Sequence, residues 1–219
     1  MAPNKPKRPS YAEAAKILAA RDPVLAKLIA DAGPMRIGRP GLSAFEALVQ
    51  AIVYQQLAGA AARAIHGRLI AAMDGAVGPE ALLALSDETL RAVGLSAAKV
   101  RSLRDLATKV LDGTVVVTPR SLARQSDEEV TARLTTVRGI GPWSADMFLM
   151  FQLRRLDVWP VGDFGVRHGY GLAWNVATPT ARELKPLGEP YRPYRTVVAW
   201  YCWRATELYG RAQDSALTR

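Results

Sequence analysis

Two stretches of this chain carry residues whose types and spacing suit chemistry. In Leu134-Thr135-Thr136-Val137-Arg138-Gly139-Ile140-Gly141-Pro142-Trp143-Ser144-Ala145, glycines two apart sit between two helical patterns. Such a turn can expose backbone N–H groups at a helix start, where the dipole favours an anion and proline pre-sets φ, so it can dock phosphate. An ordinary corner between helices would use the same residues, and a bare Gly-x-Gly does not separate the two. Further on, Val158-Trp159-Pro160-Val161-Gly162-Asp163-Phe164-Gly165-Val166-Arg167 places one carboxylate after a Pro/Gly turn, where a helix should begin. Asp163 there can cap the helix. A negative charge held at a helix start can also oppose a cation that develops during a reaction. The two roles are compatible.

Other reactive side chains are few. His66 lies in an Ala-rich helical stretch and His168 lies five residues after Asp163. Two histidines without a clustered third ligand make a poor metal site, so no metal ligand is assigned. Cys202, between Tyr201 and Trp203 on an apolar helix, is expected to be a packing residue. As the single cysteine it excludes an intramolecular disulfide, a four-thiolate zinc site and a protein-held iron–sulfur cluster, and it fits a reducing cytoplasm.

The elements that must position these residues are helical. Asp22-Pro23 starts a helix that Ala32-Gly33-Pro34 stops, and Ser43 with Glu46 forms a capping box before Leu48, Val49, Ile52 and Val53. Ala58 to Met73 has helical composition. Ser86 and Ser96 are predicted N-caps, the latter for a helix with Val100, Leu103, Leu106 and Val110 on one face and Gly113 at its end. Ser126 with Glu129 is a second capping box, leading through Val130, Leu134 and Val137 into the glycine turn, and Trp143 to Leu153 is helical again. Pro193 is predicted to open the last helix. The one strand-like run is Val115-Val116-Val117. The sum is an all-α chain of about ten short helices without an internal repeat.

Lys and Arg number 29 against 20 Asp and Glu, for a net charge of +9, and the hydrophobic share of 49% is that of a globular protein. The balance attracts polyanions. Residues 1–10, basic and carrying Pro3, Pro6 and Pro9, are expected to form a flexible arm rather than a secretion signal, and no apolar run is long enough to span a membrane. Arg36, Arg39, Lys99, Arg101, Arg138 and Arg167 could contact phosphates, although so dispersed a pattern also fits a solvated face. Of the 16 aromatic residues, 13 lie from Trp143 onward, so a flat ligand that stacks would do so in the C-terminal third.

The glycine turn and the aspartate at this spacing resemble the helix-hairpin-helix DNA glycosylases, and within them the bacterial alkylation-repair branch, 3-methyladenine DNA glycosylase II. Ala51-Ile52-Val53-Tyr54-Gln55-Gln56-Leu57, Gly94-Leu95-Ser96-Ala97-Ala98-Lys99 and Tyr194 to Trp203 extend the resemblance over roughly residues 40 to 208. It implies a two-lobed helix-hairpin-helix glycosylase fold with the active site in the interlobe cleft. Residues 11–41 with 158–219 would form one lobe, and 42–157 a six-helix barrel with the hairpin at about 127–154. It further implies that Asp163 is catalytic, that Trp143, Met147 and Trp203 line a base pocket, and that Arg138, Gly139, Ile140, Gly141 and Ser144 bind DNA. Gln55, Gln56 and Leu57 are the candidates for the wedge that fills the gap left by a flipped base.

Departures from the family refine the expectation. Where bifunctional relatives carry a lyase lysine this chain has Trp143, which favours hydrolysis alone. Met147 replaces a pocket aromatic found in some alkyladenine enzymes. The four cysteines of an iron–sulfur cluster and the amino-terminal β-domain of larger members do not appear. No cofactor is expected, although hairpin carbonyls of this family can hold a monovalent cation. The expected partner is double-stranded DNA containing alkylated bases, met by a monomer in the cytoplasm at the nucleoid, with no membrane. A DNA-binding module without catalysis, or a glycosylase for another lesion class, stands as the alternative.

Overall fold

Side-chain caps set where the helices begin. Ser10, Ser43, Ser126 and Thr180 each close a capping box with Glu13, Glu46, Glu129 and Glu183. Asp22, Ser86, Ser96 and Asp163 cap through their own side chains. The computed structural model describes residues 9–217. In chain order its α-helices are α1 (Tyr11–Arg21), α2 (Pro23–Ala32), α3 (Ala44–Tyr54), α4 (Gly59–Ala72), α5 (Pro79–Ala84), α6 (Asp87–Ala92), α7 (Ala97–Leu111), α8 (Pro119–Leu122), α9 (Asp127–Leu134), α10 (Pro142–Met147), α11 (Phe164–Trp174), α12 (Ala181–Leu187) and α13 (Arg195–Leu217). A π-helical turn, Phe148–Gln152, continues α10, and a 3-10 turn, Glu189–Tyr191, follows α12.

The all-α class is as expected, and several details differ. Among the described residues there are thirteen α-helices where about ten are expected, because pieces as short as Pro119–Leu122 give too little periodicity to read. Val115 to Val117 is not a strand: Val115 is buried and its N–H closes the end of α7 on the Lys109 carbonyl at 2.8 Å. Pro193 does not open the last helix, which starts at Arg195 after a cis Arg192–Pro193 bond. Of the expected arm, residues 1–8 lie outside the described residues, and Ser10 caps α1 instead of belonging to it.

The chain divides into two units, one made of residues 39–154 and the other of residues up to 38 together with those from 155 onward. The divisions fall slightly before the expected ones at 41 and 157. Unit 39–154 holds eight of the α-helices where a six-helix barrel is expected, around a core of Leu48, Ile52, Leu69, Leu82, Leu90, Leu103, Leu106 and Leu149. The other unit joins both ends of the chain. Asp22 caps α2 with one carboxylate oxygen and with the other accepts from Trp174 Nε1 at 3.2 Å and the Tyr191 hydroxyl at 2.7 Å. Burial first, and the hydrogen bond to Asp22 second, push the Tyr191 hydroxyl far above its ordinary pKa, so it stays a donor.

Candidate active site

Asp163 stands at the start of α11, and three features of its own unit hold it there. Its backbone N–H donates to the Pro160 carbonyl at 2.9 Å, closing the Pro/Gly turn. Its Oδ1 accepts the Val166 N–H at 2.9 Å, the N-cap bond, and the indole Nε1–H of Trp203 at 2.9 Å. The strand of chain leading into the turn is gripped by the start of α13. Thr196, fully buried, donates through Oγ1 to the Arg155 carbonyl and accepts from the Val158 N–H, while Arg195 makes two charged hydrogen bonds to Asp157 at 2.8 and 2.9 Å.

Glycine lets α11 and α13 meet closely enough for this. A Cβ on Gly169 would lie 1.8 Å from the Cys202 carbonyl oxygen, and one on Gly165 would lie 2.8 Å from Trp203 Cδ1 and 3.1 Å from Asp163 Oδ1. One helical turn apart, these glycines remove side chain where a backbone and an indole must pass. The carboxylate is thus fixed from both helices. Beside it, Phe164 is 64% exposed, stacked on His168 at 5.6 Å between ring centroids, with the Arg167 guanidinium 5.4 Å from its ring centre.

The hairpin belongs to the other unit and is built differently. Gly139 takes φ +80°, and a Cβ there would lie 2.8 Å from Ser102 Oγ, so both backbone and space demand glycine. Gly141 has an ordinary φ and nothing within 4 Å of a Cβ, and α10 starts from it without a side-chain cap. The space before those helix-start amides is therefore open, as approach by an anion requires. Ile140 is buried and anchors the turn, Arg138 and Gly139 are exposed, and Ser144 is half-buried. On α10, Trp143 is 49% exposed and Met147 half-buried.

The three wedge candidates follow α3. Gln55 is tied down: its Nε2 donates to the Gly139 carbonyl at 2.9 Å and its own carbonyl accepts from Lys99 Nζ at 2.9 Å. Gln56 is exposed at φ +57°, the position of a type II turn that favours glycine, and the Leu57 N–H closes the turn on Tyr54 O at 3.3 Å. Leu57 is 37% exposed.

Asp163 and Trp203 are thus brought together, as are Gln55 and Gly139, whereas Trp143 and Met147 belong to the unit that lacks Asp163. Sequence reasoning missed the bond from Trp203 to Asp163, and it missed Phe164, whose signal was that it falls off the buried Val166, Gly169, Tyr170 face of α11. Lys99 and Arg167 are not members of a solvated basic face, since Lys99 binds carbonyls of Val53 and Gln55 and Arg167 binds that of Pro179. Cys202 is buried, and burial raises its thiol far beyond neutrality, which removes it as a nucleophile. His66 is buried against Tyr54, its pKa lowered by that burial. Of the other tryptophans, Trp159 is buried, while Trp174 and Trp200 are half-buried. Among the described residues no group of three His, Cys, Asp or Glu side chains is disposed to hold a metal, and no helix is long and apolar enough to cross a membrane.

The chain is similar to known proteins. The pattern of the HhH-GPD superfamily base excision DNA repair proteins matches residues 49–193. DNA-3-methyladenine glycosylase 1 of Schizosaccharomyces pombe is 35% identical over 167 residues, covering 75% of this chain and 73% of that protein. The alkylbase DNA glycosidase-like protein mag2 of the same yeast is 27% identical over 93% of this chain and 97% of its own length. A DNA-3-methyladenine glycosidase of Bacillus halodurans superposes with a TM-score of 0.83 at 35% identity, covering 90% of this chain and 91% of that one. The S. pombe 3-methyladenine DNA glycosylase Mag1, solved in complex with abasic DNA, gives 0.76 at 32% identity over 89% of this chain and 96% of that one.

Proposed function

Because the chain belongs to the HhH-GPD superfamily of base excision DNA repair proteins, we propose that it is a monofunctional DNA glycosylase that flips alkylated purines, of the 3-methyladenine and 7-methylguanine type, out of duplex DNA and hydrolyses their N-glycosidic bonds. The observation that carries this is Asp163, a carboxylate locked at a helix start by Val166 N–H and the Trp203 indole beside an exposed aromatic ring. A base inside the stack is out of reach of such a group, so the nucleotide must be extruded, at a cost of a few kcal/mol. Leu57, apolar and exposed where Gln55 is tethered, suits the insertion into the gap. Arg138, the turn Gly139 to Gly141 and Ser144 hold the backbone, which makes binding steeply salt-dependent.

A purine alkylated at N3 or N7 is cationic, and an electron-rich indole favours it by cation–π attraction, the role open to Trp203 in the unit that carries Asp163 and to the exposed Trp143, with Met147 on its helix, in the other. When the bond breaks, its electron pair goes to the base and neutralises that charge, while C1′ turns oxocarbenium-like. The Asp163 carboxylate stabilises this cation and orients the water that adds to C1′, whose proton leaves to carboxylate or solvent. A charge pair at 4 Å and an effective dielectric of 20 is worth about 4 kcal/mol, roughly a thousandfold in rate. Trp143 provides no amine for a Schiff base, which supports hydrolysis without strand cleavage.

Three of the hairpin carbonyls open to a monovalent cation are already engaged. Thr136 O accepts from Lys109 Nζ, Val137 O from the Ile140 N–H and Gly139 O from Gln55 Nε2, so an ion would share these ligands with protein donors, and no step needs it. We read the protein as a monomer that acts on nucleoid DNA in the cytoplasm. A single-turnover assay on methylated duplex DNA, scored for free base and alkali-labile sites, tests the proposal. Asp163→Asn is expected to bind an abasic-site analogue and lose about a thousandfold in excision. Duplex binding without base release by the wild type would leave only a DNA-binding module.

A further inference from the structure

Helix α7 carries polar side chains at 99, 102, 105 and 109, a spacing of three and four that places them along one side. Each engages one of the two loops assigned above to DNA. Lys99 Nζ donates to the carbonyls of Val53 at 2.7 Å and Gln55 at 2.9 Å, meeting the negative end of α3 and fixing the turn that presents Leu57. Burial lowers the pKa of this lysine, and the two carbonyls are the acceptors that face its Nζ. Ser102 is buried, spends its hydroxyl proton on Ala98 O, and fills the space that the missing Cβ of Gly139 leaves. Asp105 Oδ2 accepts the Arg138 N–H at 2.7 Å and Lys109 Nζ at 2.8 Å, and Lys109 also donates to Thr136 O. Gln55 completes the circuit by joining the turn to the Gly139 carbonyl at 2.9 Å.

We infer that Lys99, Ser102, Asp105 and Lys109 form a positioning strut that holds the 54–57 turn and the 135–141 hairpin in one register. Insertion into the duplex and grip on its backbone then occur at a fixed offset. None of the four touches the reacting atoms. The inference rests on the glycosylase reading and adds to it which residues couple its two DNA contacts. A free turn would let Leu57 enter the stack out of step with the held phosphates, so the strut matters where a paired base has to be displaced and matters little where the base is already unpaired.

The test places 7-methylguanine at one position of a duplex, either opposite cytosine or opposite an abasic-site analogue. Single-turnover release is measured for wild type, Lys99→Met, Lys99→Arg, Asp105→Asn and the Lys99→Met/Asp105→Asn double variant, with Tm recorded for each. Lys99→Met is expected to slow release from the paired substrate about tenfold and from the unpaired one by less than about threefold, and Lys99→Arg to recover most of the rate. Because both ends act through one register, the double variant should lose little more than the worse single variant. Equal losses on the two substrates, or losses that multiply in the double variant, overturn the inference, because a general loosening of the fold behaves that way. If Lys99→Met does not fold, Asp105→Asn carries the same paired-against-unpaired comparison. Wild-type enzyme that releases base from neither substrate overturns the glycosylase reading and this inference with it, whereas wild-type release with equal losses overturns the inference alone.

Discussion

The Asp163 region and the hairpin region solve opposite problems with the same residue, glycine. Between α11 and α13, Gly165 and Gly169 are places where any Cβ would strike an indole or a carbonyl, so the helices interlock and the carboxylate is fixed by contact. In the hairpin, Gly141 meets nothing within 4 Å, and order comes from charged and polar tethers on α7. A group that must face one reacting carbon gains from steric rigidity. A surface that must accept a polyanion needs vacant space and anchors behind it.

The comparison is sharpest at Gly169. Alanine there must push α11 away from α13, and we expect Gly169→Ala to cost about 3 kcal/mol or more, read as a drop in Tm with loss of excision. Gly165→Ala meets side-chain atoms only, those of Trp203 and Asp163, and should leave the fold nearly intact. It displaces the Trp203 N–H from Asp163, and loss of a hydrogen bond to a charged group, about 1.5–3 kcal/mol, predicts a tenfold to hundredfold slower single-turnover excision at unchanged duplex affinity. Gly141→Ala reverses that pattern. Stability should fall by no more than about 1 kcal/mol, while Kd for duplex DNA rises roughly tenfold because the methyl stands where a phosphate would approach. An unchanged Kd would remove the open space at Gly141 from the interface.

The smallest effect is a pH dependence at the tethers. Burial of Asp105 opposes its ionisation, but the hydrogen bonds from Lys109 and the Arg138 N–H outweigh that, and its pKa lies below the ordinary carboxylate value. A folded pKa below the unfolded one contributes stability above about pH 4, which is lost as pH falls through the depressed value. The Tm difference between wild type and Asp105→Asn should therefore shrink on going from pH 6 to pH 3. A difference that stays constant over that range would mean the charge of Asp105 contributes nothing to the hairpin.

What was legible in the sequence was whatever is local. Ser43, Ser96, Ser126 and Asp163 announce their helices because a cap and the amides it serves lie within a few residues. The tight turn at Gly139 is visible for the same reason. Trp203 reaches Asp163 across 40 residues of chain, and Lys99 reaches Val53 across 46, distances at which composition and spacing carry no signal. Lys99 and Arg138 could be counted as basic residues, yet nothing local distinguishes a lysine that caps another helix from one that faces water. Pro193 misled because a proline ahead of a helical run usually sits in its first turn, whereas here it precedes the start at Arg195.

The Asp163 unit is made from the two extremities of the polypeptide, with the Tyr201 hydroxyl donating to Gly33 O at 3.1 Å. During synthesis, residues 39–154 emerge as a continuous piece, whereas residues 9–38 meet their partners in the same unit only after the helix that contains Tyr201 is translated. The site proposed at Asp163 is therefore assembled only once α13 has been made.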